Sequence, residues 1–291
     1  MPGKIWAFDP YERKMPRQQW MTCLQGGEVR RGLEGLQPDI PWCHFFDLGE
    51  GIYTVTPDSE RYFGKARGLK IIGQMIAEAV PFITRRGTPK DLSVLDLACG
   101  EGGHAIEFAQ LGSRVTGIEG RQLYVDRANF AASCYNLQNV SFFCGDVRRK
   151  SDLVETDFEL VLFLGILHHL SQDDFGRTLR HLAEVTRDCL VIYTHVSDAV
   201  SIDKWKLKGP IETADKYRGY LYREHPEEAT TEEKARRVRS SLDNTFSFWA
   251  TEESLLKGMK DVGFRFLSKL AAPHPFGNPI GEHRQIWICR K

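Results

Sequence analysis

Val94-Leu95-Asp96-Leu97-Ala98-Cys99-Gly100-Glu101-Gly102-Gly103-His104-Ala105 is the stretch on which the fold turns. An apolar run carrying one acid ends in a glycine loop and passes straight into a helical pattern. Glycines let the backbone turn sharply and come close to a ligand, and the helix start offers N–H groups with no intrahelical partner. In dinucleotide-binding enzymes such groups hold a pyrophosphate, after a G-x-G-x-x-G fingerprint. That fingerprint is not met here: position 98 is Ala, and the glycines fall at 100, 102 and 103.

Outward from this loop, strand and helix patterns alternate. HAIEFAQLG (104–112) leads to the strand RVTGIE (114–119), and a helix over 121–137 to VSFFCGDV (140–147). FELVLFLG (158–165) runs through His168-His169-Leu170 into the helix 173–187 and the strand CLVIYTHV (189–196). Solidly apolar strands in β-α alternation predict a parallel sheet covered on both faces. Upstream, Asp58-Ser59 caps a helix bearing Tyr62, Ala66, Leu69, Ile72, Met75, Ile76 and Val80, and residues 44–52 form a hairpin-like segment around two glycines. Residues 197–245 break the alternation; they are charged and tyrosine-rich and hold a predicted helix, TTEEKARRVRSSL. A helix from Thr251 and the strands FRFLSKL and RQIWICRK close the chain. The expected fold is α/β and Rossmann-like: a seven-stranded, mostly parallel sheet with an antiparallel C-terminal hairpin and a helical lid insertion after the fifth strand. The expected units are an N-terminal extension (1–58), a core (59–196 and 246–291) and the lid (197–245).

Three acids stand at three successive strand ends: Asp96, Glu119 and Asp146. With the glycine loop they resemble the class I S-adenosylmethionine (SAM) methyltransferases, whose first motif is an acid followed by G-x-G-x-G; Ala98 replaces the first glycine. The resemblance implies SAM as cofactor, held by Asp96, Ala98, Gly100 and Gly102 of the loop. It places the ribose on Glu119 and Gly120, and the adenine by Asp146 and Val147, with Leu164 beside it at the end of the fourth strand. His44–Gly51, Phe246–Thr251 and His283–Ile288 more loosely resemble the tRNA wobble-uridine carboxymethyltransferase group. That group has a tyrosine where this chain has His168, so plain SAM is expected.

Methyl transfer from a sulfonium is an in-line displacement that needs alignment and exclusion of water. An O or N nucleophile calls for a general base, and the candidates are His168 and His169, with His168 on the substrate side. His195, Tyr217, Tyr220, Tyr222, Arg223 and Trp249 are the candidate acceptor-binding residues; aromatic rings and arginines suit an anionic or planar molecule. In this reading the insertion serves the acceptor, so replacing 200–240 by a short Gly/Ser linker would abolish transfer and leave SAM affinity within about tenfold. Cys99, Cys134, Cys144 and Cys189 read as core residues rather than nucleophiles.

Composition narrows the partners. The 291 residues are 42% hydrophobic and 27% charged, with 39 basic and 39 acidic residues and a formal net charge of zero. Such a balance gives no whole-surface attraction to nucleic acid or membrane. Arg148-Arg149-Lys150 with Lys234, Arg236, Arg237 and Arg239 is the one basic cluster that keeps a tRNA-modifying enzyme as an alternative. The seven cysteines are scattered without a C-x-x-C pair, so neither a metal site nor a disulfide framework is expected, and the expected setting is the cytoplasm. No apolar run spans a membrane, and the N-terminus has no signal-peptide core. The expected function is methylation of an O or N atom of a small molecule, with a SAM-binding protein that does not turn over as a second alternative.

Overall fold

Five apolar runs form the parallel strands β1 (Ser93–Leu97), β2 (Arg114–Glu119), β3 (Val140–Cys144), β4 (Phe158–Leu164) and β5 (Thr186–His195). The structure is a computed structural model and describes residues 23–37, 39–55, 60–149, 152, 157–237, 240–270 and 284–291, with the backbone alone at 60–65 and 67. Numbering strands along the chain, β9 (Phe266–Lys269) and β10 (Arg284–Arg290) complete a seven-stranded sheet in the order β3-β2-β1-β4-β5-β10-β9. β10 lies between β5 and β9 and is antiparallel to both, so the closing hairpin is as expected.

The helices are α1 (Gly26–Glu34), α2 (Glu60–Ile83), α3 (Gly103–Gln110), α4 (Gln122–Cys134), α5 (Gln172–Val185), α6 (Ala199–Lys204), α7 (Thr231–Arg236) and α8 (Glu252–Asp261). Alternate strand residues enter two cores. Leu160, Leu162 and Val191 meet Ile72 and Val80 of α2, Phe108 of α3 and Val125 of α4. Val161, Phe163 and Ile192 meet Phe175 and Leu179 of α5 and Met259 of α8. This two-sided burial explains the unbroken apolar runs of β4 and β5. The Thr251 hydroxyl accepts the Ser254 N–H at the start of α8, as read from the sequence. The Asp58-Ser59 cap lies outside the described residues. At 44–52 the hairpin-like segment is present, with Leu48 N–H donating to Ile52 O and a bridge between Asp47 and Tyr53.

Two expectations change. β3 is an edge strand, so Phe143 is 51% exposed and Cys144 is exposed rather than core. The insertion is also not a helical lid: its helices, α6 and α7, have six residues each. Between and after them, β6 (Lys208–Glu212), β7 (Arg218–Arg223) and β8 (Phe246–Ala250) form a separate antiparallel sheet in the order β6-β7-β8. Alternating aromatic and β-favouring residues in β7 and β8 make cross-strand pairs that outweigh the helix-forming charges around them. The helix read over 230–242 contracts to Thr231–Arg236.

Candidate active site

The glycine loop leaves β1 in left-handed backbone conformations: φ is +56° at Ala98, +57° at Gly100 and +77° at Gly102. At Gly102 a side chain is also excluded by space, since a Cβ would stand 2.7 Å from the Phe142 ring. Ala98 adopts the conformation a glycine would take more cheaply. The Asp96 carboxylate accepts the Ala105 N–H, fastening α3 to β1, and burial pushes its pKa up to about 8. Its Oδ2 is buried with no partner among the described residues. Glu119 Oε2 accepts the Gly100 N–H at 3.0 Å and Oε1 the Arg121 N–H at 2.9 Å. Burial raises its pKa against the pull of Arg121.

These groups fit SAM. An ammonium would satisfy the orphaned Asp96 oxygen, and a carboxylate has lone pairs left for two ribose hydroxyls after taking two N–H bonds. Glu119→Ala is therefore expected to weaken SAM binding by about 1–3 kcal/mol through loss of charge-assisted hydrogen bonds. Calorimetry with SAM and with NAD tests this; NAD binding in place of SAM overturns the assignment.

A buried ion network locks the N-terminal segment onto this loop. Glu101 is 1% exposed and accepts N–H groups of Cys43 (2.9 Å) and His44 (2.8 Å). It lies 3.1 Å from His44 Nδ1 and 3.0 Å from Arg127 Nη1. Burial pushes the Glu101 pKa up, but His44 and Arg127 outweigh it and hold it below the ordinary value. Arg127, with no exposed surface, donates to the carbonyls of Leu36, Gln37, Ile40 and Pro41, and its guanidinium lies 4.7 Å from the Trp42 ring centroid. Neither Glu101 nor Arg127 was among the candidates. A lone Arg on a helix reads as solvated, and only its place among Val125, Ala128 and Ala131 on the apolar face of α4 hints otherwise.

Two further arginines clasp the insertion against the turns that follow β2 and β3. Arg121, just after Glu119, donates to the carbonyls of Ala235, Arg237, Ser240 and Ser241. Arg148, just after Asp146, bridges Asp146 (2.7 Å) and Asp243 (2.8 Å). Burial raises the Asp146 pKa, but the Arg148 hydrogen bonds and charge outweigh it and lower it overall. A Cβ on Gly120 would stand 3.2 Å from Leu242. Val147 is buried in the core, and Leu164 is half-buried.

Rings gather at the ends of β4 and β5. His168 stacks on His195 at 4.2 Å between centroids and lies 4.3 Å from His169. His195 meets Trp249 edge-on at 4.6 Å, Tyr222 stacks on Trp249 at 5.1 Å, and Trp205 closes on both. Tyr220 pairs with Trp249 and Tyr222 with Ser247 across β7 and β8, so Tyr220, Tyr222, Ser247 and Trp249 share one sheet face.

The strand period sends the other candidates elsewhere. Arg223 lies on the opposite face, half exposed beside Glu227. Tyr217 is core: its ring meets Phe175 and its hydroxyl donates to Asp261 at 3.1 Å. It faces α5 and α8, away from the rings gathered at the ends of β4 and β5.

Residues 94–188 match a family model described as a methyltransferase domain. Over 135 residues, 45% of the chain, the sequence is 32% identical to the 23S rRNA (uracil(1939)-C(5))-methyltransferase RlmD of Colwellia psychrerythraea, covering 27% of that protein. The chain spans about a fifth to a quarter of the length of the curated relatives it matches. The N-terminal domain of EvdMO1, crystallised in the presence of SAH and D-fucose, superimposes with a TM-score of 0.65 at 22% identity, covering 92% of this chain and 97% of that one. The 1,6-didemethyltoxoflavin-N1-methyltransferase of Burkholderia thailandensis superimposes with a TM-score of 0.53 at 20% identity, covering 92% and 91%. The domain match gives residues 94–188 as a methyltransferase domain, and the sheet order and glycine loop are those of a Rossmann-like methyltransferase fold. Among the described residues no helix is long and apolar enough to cross a membrane.

Proposed function

We propose that the protein transfers the SAM methyl group to an oxygen or nitrogen atom of a small-molecule acceptor, held where β4 and β5 end beneath the insertion. SAM supplies an activated methyl on a sulfonium; Asp96 would hold its ammonium, Glu119 and Gly120 its ribose, and Asp146, Val147 and Leu164 its adenine side. The aromatic cluster carries the acceptor half of the reading. Within it the indole N–H groups of Trp205 and Trp249 are buried with no acceptor among the described residues. A buried donor left unpaired is costly, and a flat ligand with polar edges meets both needs. The surrounding rings keep water from the reacting atoms.

The solved neighbour from Burkholderia thailandensis bears the name of a small-molecule methyltransferase, whereas the partial relatives bear the name of an rRNA enzyme. Charge placement favours the first. Arg148 is neutralised by Asp146 and Asp243, and Lys234 donates to the Asp243 carbonyl. Among the described residues, Arg149, Arg236 and Arg237 are the exposed part of the basic cluster; Lys150 and Arg239 lie outside the described residues.

The test is methyl-labelled SAM offered to metabolite fractions, with RNA in parallel. Label in a small molecule is the expected result; label in RNA overturns the acceptor class. SAM binding without transfer in every fraction supports the non-catalytic alternative. Transfer is also expected to vary little between about 50 and 200 mM salt, whereas an enzyme making 6–10 phosphate contacts would lose about 10³–10⁵ in affinity over that range.

A further inference from the structure

The two adjacent histidines after β4 are held in opposite ways. His168 is buried, and its Nδ1 accepts the His195 N–H at 3.3 Å. That nitrogen is therefore the unprotonated one, and the His168 proton sits on Nε2. His169 Nδ1 instead stands 2.6 Å from Glu224 Oε1, with side-chain exposures of 16% and 2%. An ionised carboxylate only accepts, so His169 carries its proton on Nδ1 and keeps a lone pair on Nε2.

Glu224 is itself fixed. The Ser247 hydroxyl donates to Oε1 at 2.8 Å and the Ser241 N–H to Oε2 at 3.3 Å. Glu224 directly follows β7, its N–H donating to Thr245 O, and the strand period gives it the parity of Tyr220 and Tyr222, on the face they share with Ser247 and Trp249. A buried acid that orients an imidazole and fixes its tautomer is the arrangement that makes a histidine an effective base.

We propose that His169 is the general base of the methyl transfer and that Glu224 is its positioning residue, so that the insertion supplies half of the base. The assignment rests on the methyltransferase reading above and deepens it. As the acceptor's O–C or N–C bond forms, the sulfonium S–CH3 bond breaks and its electron pair stays on sulfur, leaving a neutral thioether. The acceptor's proton passes to His169 Nε2, and Glu224 stabilises the resulting imidazolium. The titratable groups around His169 are Glu224 and Tyr222 from the insertion, His168 from its own turn and, behind His168, His195 from β5; β8 contributes Ser247 and Trp249.

The test uses the full chain with SAH bound and 15N-labelled histidine, as wild type, E224Q, E224D and H169Q. Wild-type His169 should show the Nδ1-protonated neutral tautomer in its 15N spectrum, and that signature should be lost in E224Q and recover in E224D. With the acceptor found by the labelling screen, H169Q should lose about 100-fold or more in kcat, with SAM Kd within about twofold. The kcat of E224Q should fall with the loss of that tautomer and be rescued in E224D, with SAM Kd within about twofold in both, a pattern that a merely structural role for Glu224 would not give. An Nε2-protonated His169, a tautomer unchanged by E224Q, or full turnover in H169Q overturns the proposal. Absence of transfer by the wild type itself, with SAM bound, overturns the functional reading first.

Discussion

Arg127→Ala is expected to destabilise the protein by about 3–5 kcal/mol, because it leaves Glu101 as a buried carboxylate without its cation. The loss extends beyond one ion pair. Four backbone carbonyls of residues 36–41 lose the guanidinium that gathers them, and the Trp42 ring loses its cation. Urea unfolding should show a lower midpoint, with a drop in Tm of about 5–8 °C. Arg127→Met combined with Glu101→Gln should recover part of the loss, since a neutral pair of similar size removes the uncompensated charge. A cost below about 1 kcal/mol for Arg127→Ala would mean that residues 36–47 do not depend on this network. SAM binding should weaken in parallel, because His44, held by Glu101, lies against Gly100 and Gly103 of the cofactor loop.

Replacing residues 200–240 by a short Gly/Ser linker is expected to abolish transfer and also to weaken SAM binding more than tenfold, or about 1.4 kcal/mol. The second half reverses what the sequence suggested, namely an insertion serving the acceptor alone. Arg121 holds carbonyls of Ala235, Arg237 and Ser240, which the replacement removes. Leu242 and Asp243, which remain, lose the scaffold that seats them on Gly120 and Arg148. Calorimetry with SAM reads the cofactor effect, and the labelled-methyl assay reads transfer. Unchanged affinity would show that the arginine clasp is incidental; retained turnover would place the acceptor outside the insertion.

The parts of this fold that were legible in the sequence are those whose pattern is local. β1, β4 and β5 announce themselves because burial on both faces demands unbroken apolar runs, and the loop announces itself because Gly100 and Gly102 need backbone angles other residues resist. The insertion misled because its charged, tyrosine-rich segments carry no strong period, and the β7–β8 pairing is decided by contacts between residues some thirty positions apart. Edge position hid the exposure of Phe143 and Cys144, since a strand's place in a sheet is not written in its own residues. Tyr217 and Arg223 were grouped with Tyr222 by composition, whereas strand alternation separates them. Arg127 left only the faint mark of its place on the apolar face of α4, and Glu101 and Glu224 left none; each is defined by partners from a distant segment.

The arginine clasp also sets what can be transplanted. On the proposed reading, an acceptor specificity is not expected to move between relatives by exchanging residues 197–245 alone, because that segment is seated by Arg121 and Arg148, which follow Glu119 and Asp146, the acids proposed to hold the nucleoside. The transferable unit is discontinuous: the insertion together with the two strand-end turns that receive it. A chimera that respects this boundary keeps its cofactor seat intact, and one that ignores it inherits a foreign acceptor pocket resting on a loosened nucleoside site.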